Sequence, residues 1–295
     1  MPARELSEVL REVRRIQIVA NRQVNDILAG EYHSVFKGRG MEFDSVREYV
    51  PGDEIRNIDW NVTARTGAPY IKKFCEEREL TVLLAIDISA SGSFGSLRLS
   101  KTDTAIEVAA VLMFSALKNH DKVGLLLFCD DVLRYIPPRK GRSNVLRLIR
   151  DLLAVEPVRA RTDIPKALDF LGRVHKRKCV VFVMSDFLGP DCSRALAIAR
   201  TRHDVIAITL TDPRELELPD VGFIHLQDAE TGEIVELDTR HPKVRALFAE
   251  NAAKRERQLS GWFRRAAVDC LDIRTDQPYT QSLQRFFKMR ERRQR

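Results

Sequence analysis

The strongest constraint on the fold of this chain is the apolar run from Thr81 to Ile86, which stops at an acid, Asp87. A run this short with no polar break suits a strand covered on both faces, because half-exposed strands alternate apolar with polar residues. Similar runs return at Lys122 to Phe128, Cys179 to Met184 and Val205 to Leu210. Between them, apolar residues fall at helical spacing over Thr102 to Leu117, Asn144 to Leu153, Ile164 to His175 and Ser193 to Thr201. Buried strands separated by helices predict an α/β fold with a mostly parallel sheet and helices on both faces. Val132 to Ile136 follows the second strand closely enough to be its hairpin partner. Ligands of such sheets bind outside the carboxyl ends of the strands. Residues just after each run are therefore the first place to look for function.

The flanks read differently. Apolar positions at helical spacing from Leu6 to Leu28 predict an amphipathic helix stopped at Gly30, whereas residues 31–80 are rich in charge, Gly and Pro. Beyond Leu210, a hairpin is predicted for Gly222 to Leu226 with Ile234 to Leu237 around Thr231-Gly232. A long helix over Val244 to Ala267, a last strand over Val268 to Ile273 and a terminal helix over Ser282 to Met289 complete the pattern. The predicted organisation is a helix and charged extension over 1–80, the α/β domain over 81–280 and a basic tail over 281–295.

Composition narrows the function classes. A length of 295 residues, 44% hydrophobic, suffices for one α/β domain with an appendage. The five cysteines are odd in number and scattered, with no C-x-x-C pair, which argues against a disulfide framework or zinc ribbon and for a reducing, cytoplasmic setting. Charges interrupt Met1 to Asn21, unlike the core of a signal peptide, and no uncharged apolar run approaches the roughly 18 residues of a membrane helix. No integral membrane segment is expected. The net charge of +7 gathers at Arg285 to Arg295 and around Lys254 to Arg265, and it favours acidic partners without choosing among them. Neither H-E-x-x-H, nor a phosphate-binding G-x-x-x-x-G-K-[ST], nor G-x-S-x-G occurs, so no enzymatic activity is expected. The sharpest enzymatic rival is a phosphotransferase with Asp87 as nucleophile. Ser89 and Ser91 stand where such a site usually needs a further carboxylate.

Asp87, Ser89 and Ser91 alternate where the chain turns after its first buried strand, so their oxygens can converge. Hard oxygen donors suit magnesium, which takes about six in near-octahedral arrangement and keeps several waters. Thr162, ahead of the helix at Ile164, and Asp186, after the strand ending at Met184, fall at the same sheet edge. Together these positions resemble the metal-ion-dependent adhesion site of von Willebrand factor A domains. The resemblance implies a bound Mg²⁺ (or Mn²⁺), with Ser89, Ser91 and Thr162 as direct ligands and Asp87 and Asp186 acting mainly through waters. It also implies one position left for a carboxylate of a partner protein. Thr102 and Thr104 compete for the threonine position; the order of elements in the family favours Thr162. Asp163 reads as a helix cap.

A second signature is more specific. It comprises Gly38-Arg39-Gly40-Met41-Glu42-Phe43, Arg47-Glu48-Tyr49-Val50-Pro51-Gly52-Asp53, and Arg56-Asn57-Ile58-Asp59-Trp60 with Thr63-Ala64-Arg65. This stretch resembles the bacterial family called domain of unknown function 58, in which it precedes a von Willebrand factor A-like domain. Membership implies partnership with a MoxR-type AAA+ ATPase, and the resulting expectation is a non-enzymatic interaction protein that acts with it in assembly, maturation or remodelling of a client complex. The unknown client would offer an acidic residue to the metal. The alternatives are a basic nucleic-acid-binding protein, although nucleic acid is not the expected partner, and a metal-dependent phosphatase. Within the signature, Asp53, Arg56, Asp59 and Arg65 suggest a charge network, and Tyr49, Ile58 and Trp60 suggest an apolar docking side.

Overall fold

The computed structural model describes residues 6–24, 42–75, 79–156, 158, 160–229 and 231–294. In chain order the elements are α1 (Leu6–Gln23), β1 (Glu42–Glu48), α2 (Trp60–Thr66), β2 (Tyr70–Cys75), β3 (Thr81–Asp87) and α3 (Lys101–Lys118). There follow β4 (Lys122–Phe128), β5 (Val132–Arg139), α4 (Arg142–Leu153), α5 (Ile164–Val174), β6 (Val180–Ser185) and α6 (Ser193–Arg202). The chain ends with β7 (Asp204–Thr211), β8 (Phe223–Gln227), β9 (Ile234–Asp238), α7 (Pro242–Ala266), β10 (Asp269–Arg274) and α8 (Tyr279–Gln294). Two compact units result, one of residues 36–79 and one of residues 1–35 with 80–295.

In the larger unit a six-stranded sheet runs β10-β7-β6-β3-β4-β5. Its neighbours are parallel except for β4 with β5, which is the antiparallel hairpin the sequence suggests. This is the expected α/β architecture with a mostly parallel sheet. Strand residues alternate between two cores because side chains switch face at each position. Leu83 and Ala85 join a cluster with Leu168 and Leu171 of α5, Leu196 of α6 and Trp262 and Phe263 of α7. Val82, Leu84 and Ile86, also fully buried, serve the opposite face, where α3 packs. Each such aliphatic side chain contributes about 1.5–3 kcal/mol when fully buried.

The central helix is α3, buried at every residue from Thr104 to Ala116. A capping box between Ser100 and Asp103 starts it one residue earlier than hydropathy alone indicates. Outside it lies α1, which packs on α3 and α4 through Val13, Ile16 and Ala20, one face of a helix by their spacing. Arg15 pairs with Glu107 of α3 at 3.0 Å. The expected continuation of α1 to Leu28 and its stop at Gly30 lie outside the described residues. The C-terminal α8 buries both Phe286 and Phe287, and its basic end is partly neutralised internally. Arg290 pairs with Asp204 and Asp269, and Arg293 pairs with Asp269.

The last strand in the order, β5, carries Pro137 and Pro138 opposite an irregularity at Gly124. A Cβ on Gly124 would lie 2.9 Å from both Ile136 O and Pro138 N, so only glycine lets the proline-bearing strand approach this closely. A separate antiparallel hairpin, β8 with β9, precedes α7.

In the smaller unit β1 and β2 pair antiparallel. Both terminal nitrogens of Arg47 donate to Asp53, each at 2.7 Å, and Asp59 caps α2 by accepting from Asn61 N and Val62 N. The charge network expected of Asp53, Arg56, Asp59 and Arg65 is therefore corrected in its pairing, because Asp53 is taken by Arg47. Trp60, expected to pack, is 66% exposed. Residues 38–41 of the signature lie outside the described residues.

Candidate metal centre

Strands β3 and β6 are neighbours, but the chain leaves β3 toward β4 and leaves β6 toward β7, on opposite sides. Such a switch point opens a crevice at the carboxyl ends of the strands. Asp87 closes β3 and Asp186 follows β6. Ser89 N donates to Asp87 Oδ1 at 2.9 Å, which folds the loop back on its own acid, and the Ser89 and Ser91 hydroxyls lie 3.0 Å apart. Thr162 arrives because Val158 N donates to Ile88 O at 3.1 Å, drawing the segment ahead of α5 alongside the loop. Its hydroxyl donates to Asp87 Oδ2 at 2.9 Å and lies 3.1 Å from Ser89 Oγ. Ser185 Oγ donates to the same Asp87 oxygen at 2.6 Å.

All five positions singled out in the sequence are thus brought together. Asp87, Ser89, Ser91 and Asp186 line a cavity of ≈ 10 Å³, and Thr162 joins it through Asp87 and Ser89. Of the competing threonines, Thr104 donates to Ser100 O at 2.9 Å in the first turn of α3. Thr102 lines the cavity, and its buried hydroxyl has no hydrogen-bond partner among the described residues. Asp163 caps α5 by accepting from Lys166 N at 2.9 Å.

Sequence reasoning missed Lys101, which is 1% exposed. Its ammonium donates to Asp186 Oδ2 at 2.7 Å and to Glu215 Oε1 at 2.6 Å. The available signal was a lysine opening an otherwise apolar helix. Burial pushes the Asp87 carboxyl above its ordinary pKa, and repulsion from Asp186 adds to this against the opposing effect of the Ser185 and Ser89 donors. For Lys101, burial works to lower the pKa, but Asp186 and Glu215 outweigh it and hold the ammonium above its usual value. Both oxygens of Asp87 accept hydrogen bonds from neutral donors, and the residue is 9% exposed.

A family model described as "Protein of unknown function DUF58" matches residues 45–258. The chain belongs to the DUF58 family. The DUF58 chain is 34% identical over 283 residues to the uncharacterized protein Rv1480 of Mycobacterium tuberculosis, covering 95% of this chain and 89% of that one. Among solved structures it is similar to an aerotolerance-related membrane protein from Bacteroides fragilis, at 16% identity and a TM-score of 0.49, covering 72% of this chain and 99% of the other. It is also similar to the SpRpn10 VWA domain, at 12% identity and a TM-score of 0.40, covering 70% and 94%.

The DUF58 site is held from behind by two knots. Phe187, immediately after Asp186, adopts a left-handed backbone with φ 56°, a conformation that a bulky residue keeps only when its surroundings impose it. Here Phe187 N donates to Ser185 Oγ at 2.9 Å, and the ring packs edge-on against Phe263 with centroids 5.1 Å apart. Next to it, a Cβ on Gly189 would lie 2.9 Å from Thr162 O. The second knot is Asp212, fully buried. Its carboxylate accepts from Ser96 N, Ser96 Oγ, Arg214 N and Thr275 Oγ1. Asp212 N in turn donates to Glu215 Oε2 at 3.1 Å, fixing the acid that holds Lys101.

Proposed function

We propose that this DUF58 protein is a non-enzymatic, metal-dependent protein-interaction module. In this reading it binds an acidic residue of a client and acts with a MoxR-type AAA+ ATPase in assembly, maturation or remodelling of the client complex. The observation that carries the reading is the convergence of Asp87, Ser89, Ser91, Thr162 and Asp186 at the switch point of the sheet. The donor set is oxygen throughout, which suits Mg²⁺ or Mn²⁺. The orphaned Thr102 hydroxyl supports it as well, since a buried polar group without a partner costs about 1–3 kcal/mol and a hydrated cation would satisfy it. A cavity of ≈ 10 Å³ has room for about one water-sized probe. Ser89, Ser91 and Thr162 would hold the ion through their hydroxyls, with Asp87 and Asp186 supplying charge. Once bound, the ion would supply a Lewis-acidic position that recognises a client carboxylate. The role of the ATPase rests on membership of the family.

The rival readings have less support. Both oxygens of Asp87 accept hydrogen bonds from neighbouring groups, which restrains it as a phosphatase nucleophile, and two arginines of the basic tail, Arg290 and Arg293, pair with acids of β7 and β10. The reading takes the cytoplasm as the compartment, consistent with the free thiols of Cys129, Cys179, Cys192 and Cys270. No described helix is long and apolar enough to cross a membrane. Calorimetric titration of the purified protein with Mg²⁺ and Mn²⁺, beside Asp87→Ala and Ser89→Ala, tests the metal. Identical heats from all three proteins would overturn it. Recovery of the ATPase in a pull-down that chelator abolishes tests the partnership.

A further inference from the structure

Lys101 has no role in the reading above, yet its position is costly. It is the first residue of α3, where the positive end of the helix dipole disfavours a cation, and it is among the largest fully buried side chains. A buried ammonium is tolerated only when paired, and Lys101 meets two carboxylates at once, Asp186 at 2.7 Å and Glu215 at 2.6 Å. The two acids of the candidate centre are therefore unequal. The hydrogen bonds to Asp87 come from neutral donors, the Ser89 amide and the hydroxyls of Thr162 and Ser185. Asp186 already carries a cation on one oxygen, and its other oxygen accepts from Leu188 N at 3.1 Å.

We propose that Lys101 is an internal counter-ion that competes with the divalent cation for Asp186, and that Glu215 is the seat which keeps the ammonium when the cation is bound. The inference rests on the metal reading above and concerns the control of that same site. Because Nζ touches both seats already, passing from a shared position to Glu215 alone needs only a small displacement. The seat is rigid, since Glu215 Oε2 accepts from Asp212 N while Oε1 holds the lysine. Cation affinity is then a balance of carboxylates against one lysine. A client carboxylate that adds negative charge at the ion tips this balance, so cation and client bind cooperatively, each raising the affinity of the other by the same factor.

The test is calorimetric titration of the full chain with MgCl₂ and MnCl₂, comparing wild type with Lys101→Met, Glu215→Gln and the double variant. Lys101→Met is expected to tighten cation binding by about tenfold, within the range common for coupled sites. Glu215→Gln is expected to weaken it by a factor on the order of 5, because the ammonium is left to Asp186 alone. In the double variant the Glu215 effect shrinks, since no ammonium remains to be seated. Equal or weaker binding by Lys101→Met, with wild type binding, overturns this inference and leaves the metal reading standing. So does a Glu215 effect that persists undiminished in the double variant. No heat from any of the proteins overturns the metal reading and this inference with it. If Lys101→Met does not fold, Glu215→Gln decides the matter alone, and unchanged affinity there counts against the counter-ion.

Discussion

Replacing Asp212 by alanine removes a carboxylate that ties the segments of Ser96 and Thr275 to its own turn. Its oxygens receive Ser96 N at 2.9 Å, Ser96 Oγ at 2.6 Å, Arg214 N at 2.9 Å and Thr275 Oγ1 at 2.9 Å. Hydrogen bonds to a charged group are each worth about 1.5–3 kcal/mol when deleted singly. The four share one acceptor, so they do not add, and leaving these buried donors unpaired costs roughly 3–5 kcal/mol in all. At about 2–4 °C per kcal/mol for a domain of this size, the melting temperature should fall by on the order of 10 °C. Burial alone would raise the Asp212 pKa, but the donors from Ser96, Arg214 and Thr275 outweigh it and hold the carboxyl below its ordinary value. A depressed folded pKa contributes stability above the unfolded value, about 3.9, and that stability is lost as pH falls through the folded value. The gap between wild type and Asp212→Ala should therefore be full at neutral pH and close in acid. Scanning calorimetry from neutral pH down to the acid limit of folding measures it. A variant that melts within about 2 °C of wild type at neutral pH, or a gap that stays constant on acidification, would refute the argument.

Other perturbations have equally definite outcomes. Thr162→Val removes the hydroxyl donated to Asp87 and should cost about 1–3 kcal/mol in denaturant melts, together with the heat of Mn²⁺ binding. In chelator, the raised folded pKa of Asp87 means that wild-type stability declines as pH rises from the unfolded to the folded value, and Asp87→Asn should lack that decline; the same slope in both proteins would contradict this. Gly189→Ala forces a Cβ to 2.9 Å from Thr162 O, so a loss of about 1–3 kcal/mol should come with weakened cation binding, whereas Gly172→Ala, with open space at its Cβ, should leave binding unchanged. Leu84→Ala, at the fully buried centre of β3, should cost about 2–5 kcal/mol and leave a folded protein's cation affinity intact.

What was legible in the sequence was whatever local periodicity or a short motif encodes. The buried strands announce themselves by uninterrupted apolar runs, and Asp87, Ser89 and Ser91 by their position after one of them. Thr162 could be placed only with help from the order of elements, because Thr102 offers the same hydroxyl at the next helix start and does line the cavity. The ion pairs of Lys101 were out of reach for a physical reason: its partners lie 85 and 114 residues away, and nothing periodic links them. Asp212 was hidden in the same way, since Ser96 and Thr275 meet it across 116 and 63 positions. Trp60 failed in the opposite direction. An aromatic beside apolar neighbours reads as buried, but at 66% exposure its surroundings do not cover it.

The two prolines of β5 bear on how copies of this protein behave when crowded. Successive residues of a strand aim their N–H groups to opposite sides, so Pro137 and Pro138 delete one donor toward β4 and one toward the side of β5 that pairs with no described strand. An approaching foreign strand meets an interrupted ladder there, flanked by the exposed guanidinium groups of Arg134 and Arg139. Edges broken in this way resist templated stacking. The β5 side of the sheet is thereby a poor template for strand pairing with another copy of itself.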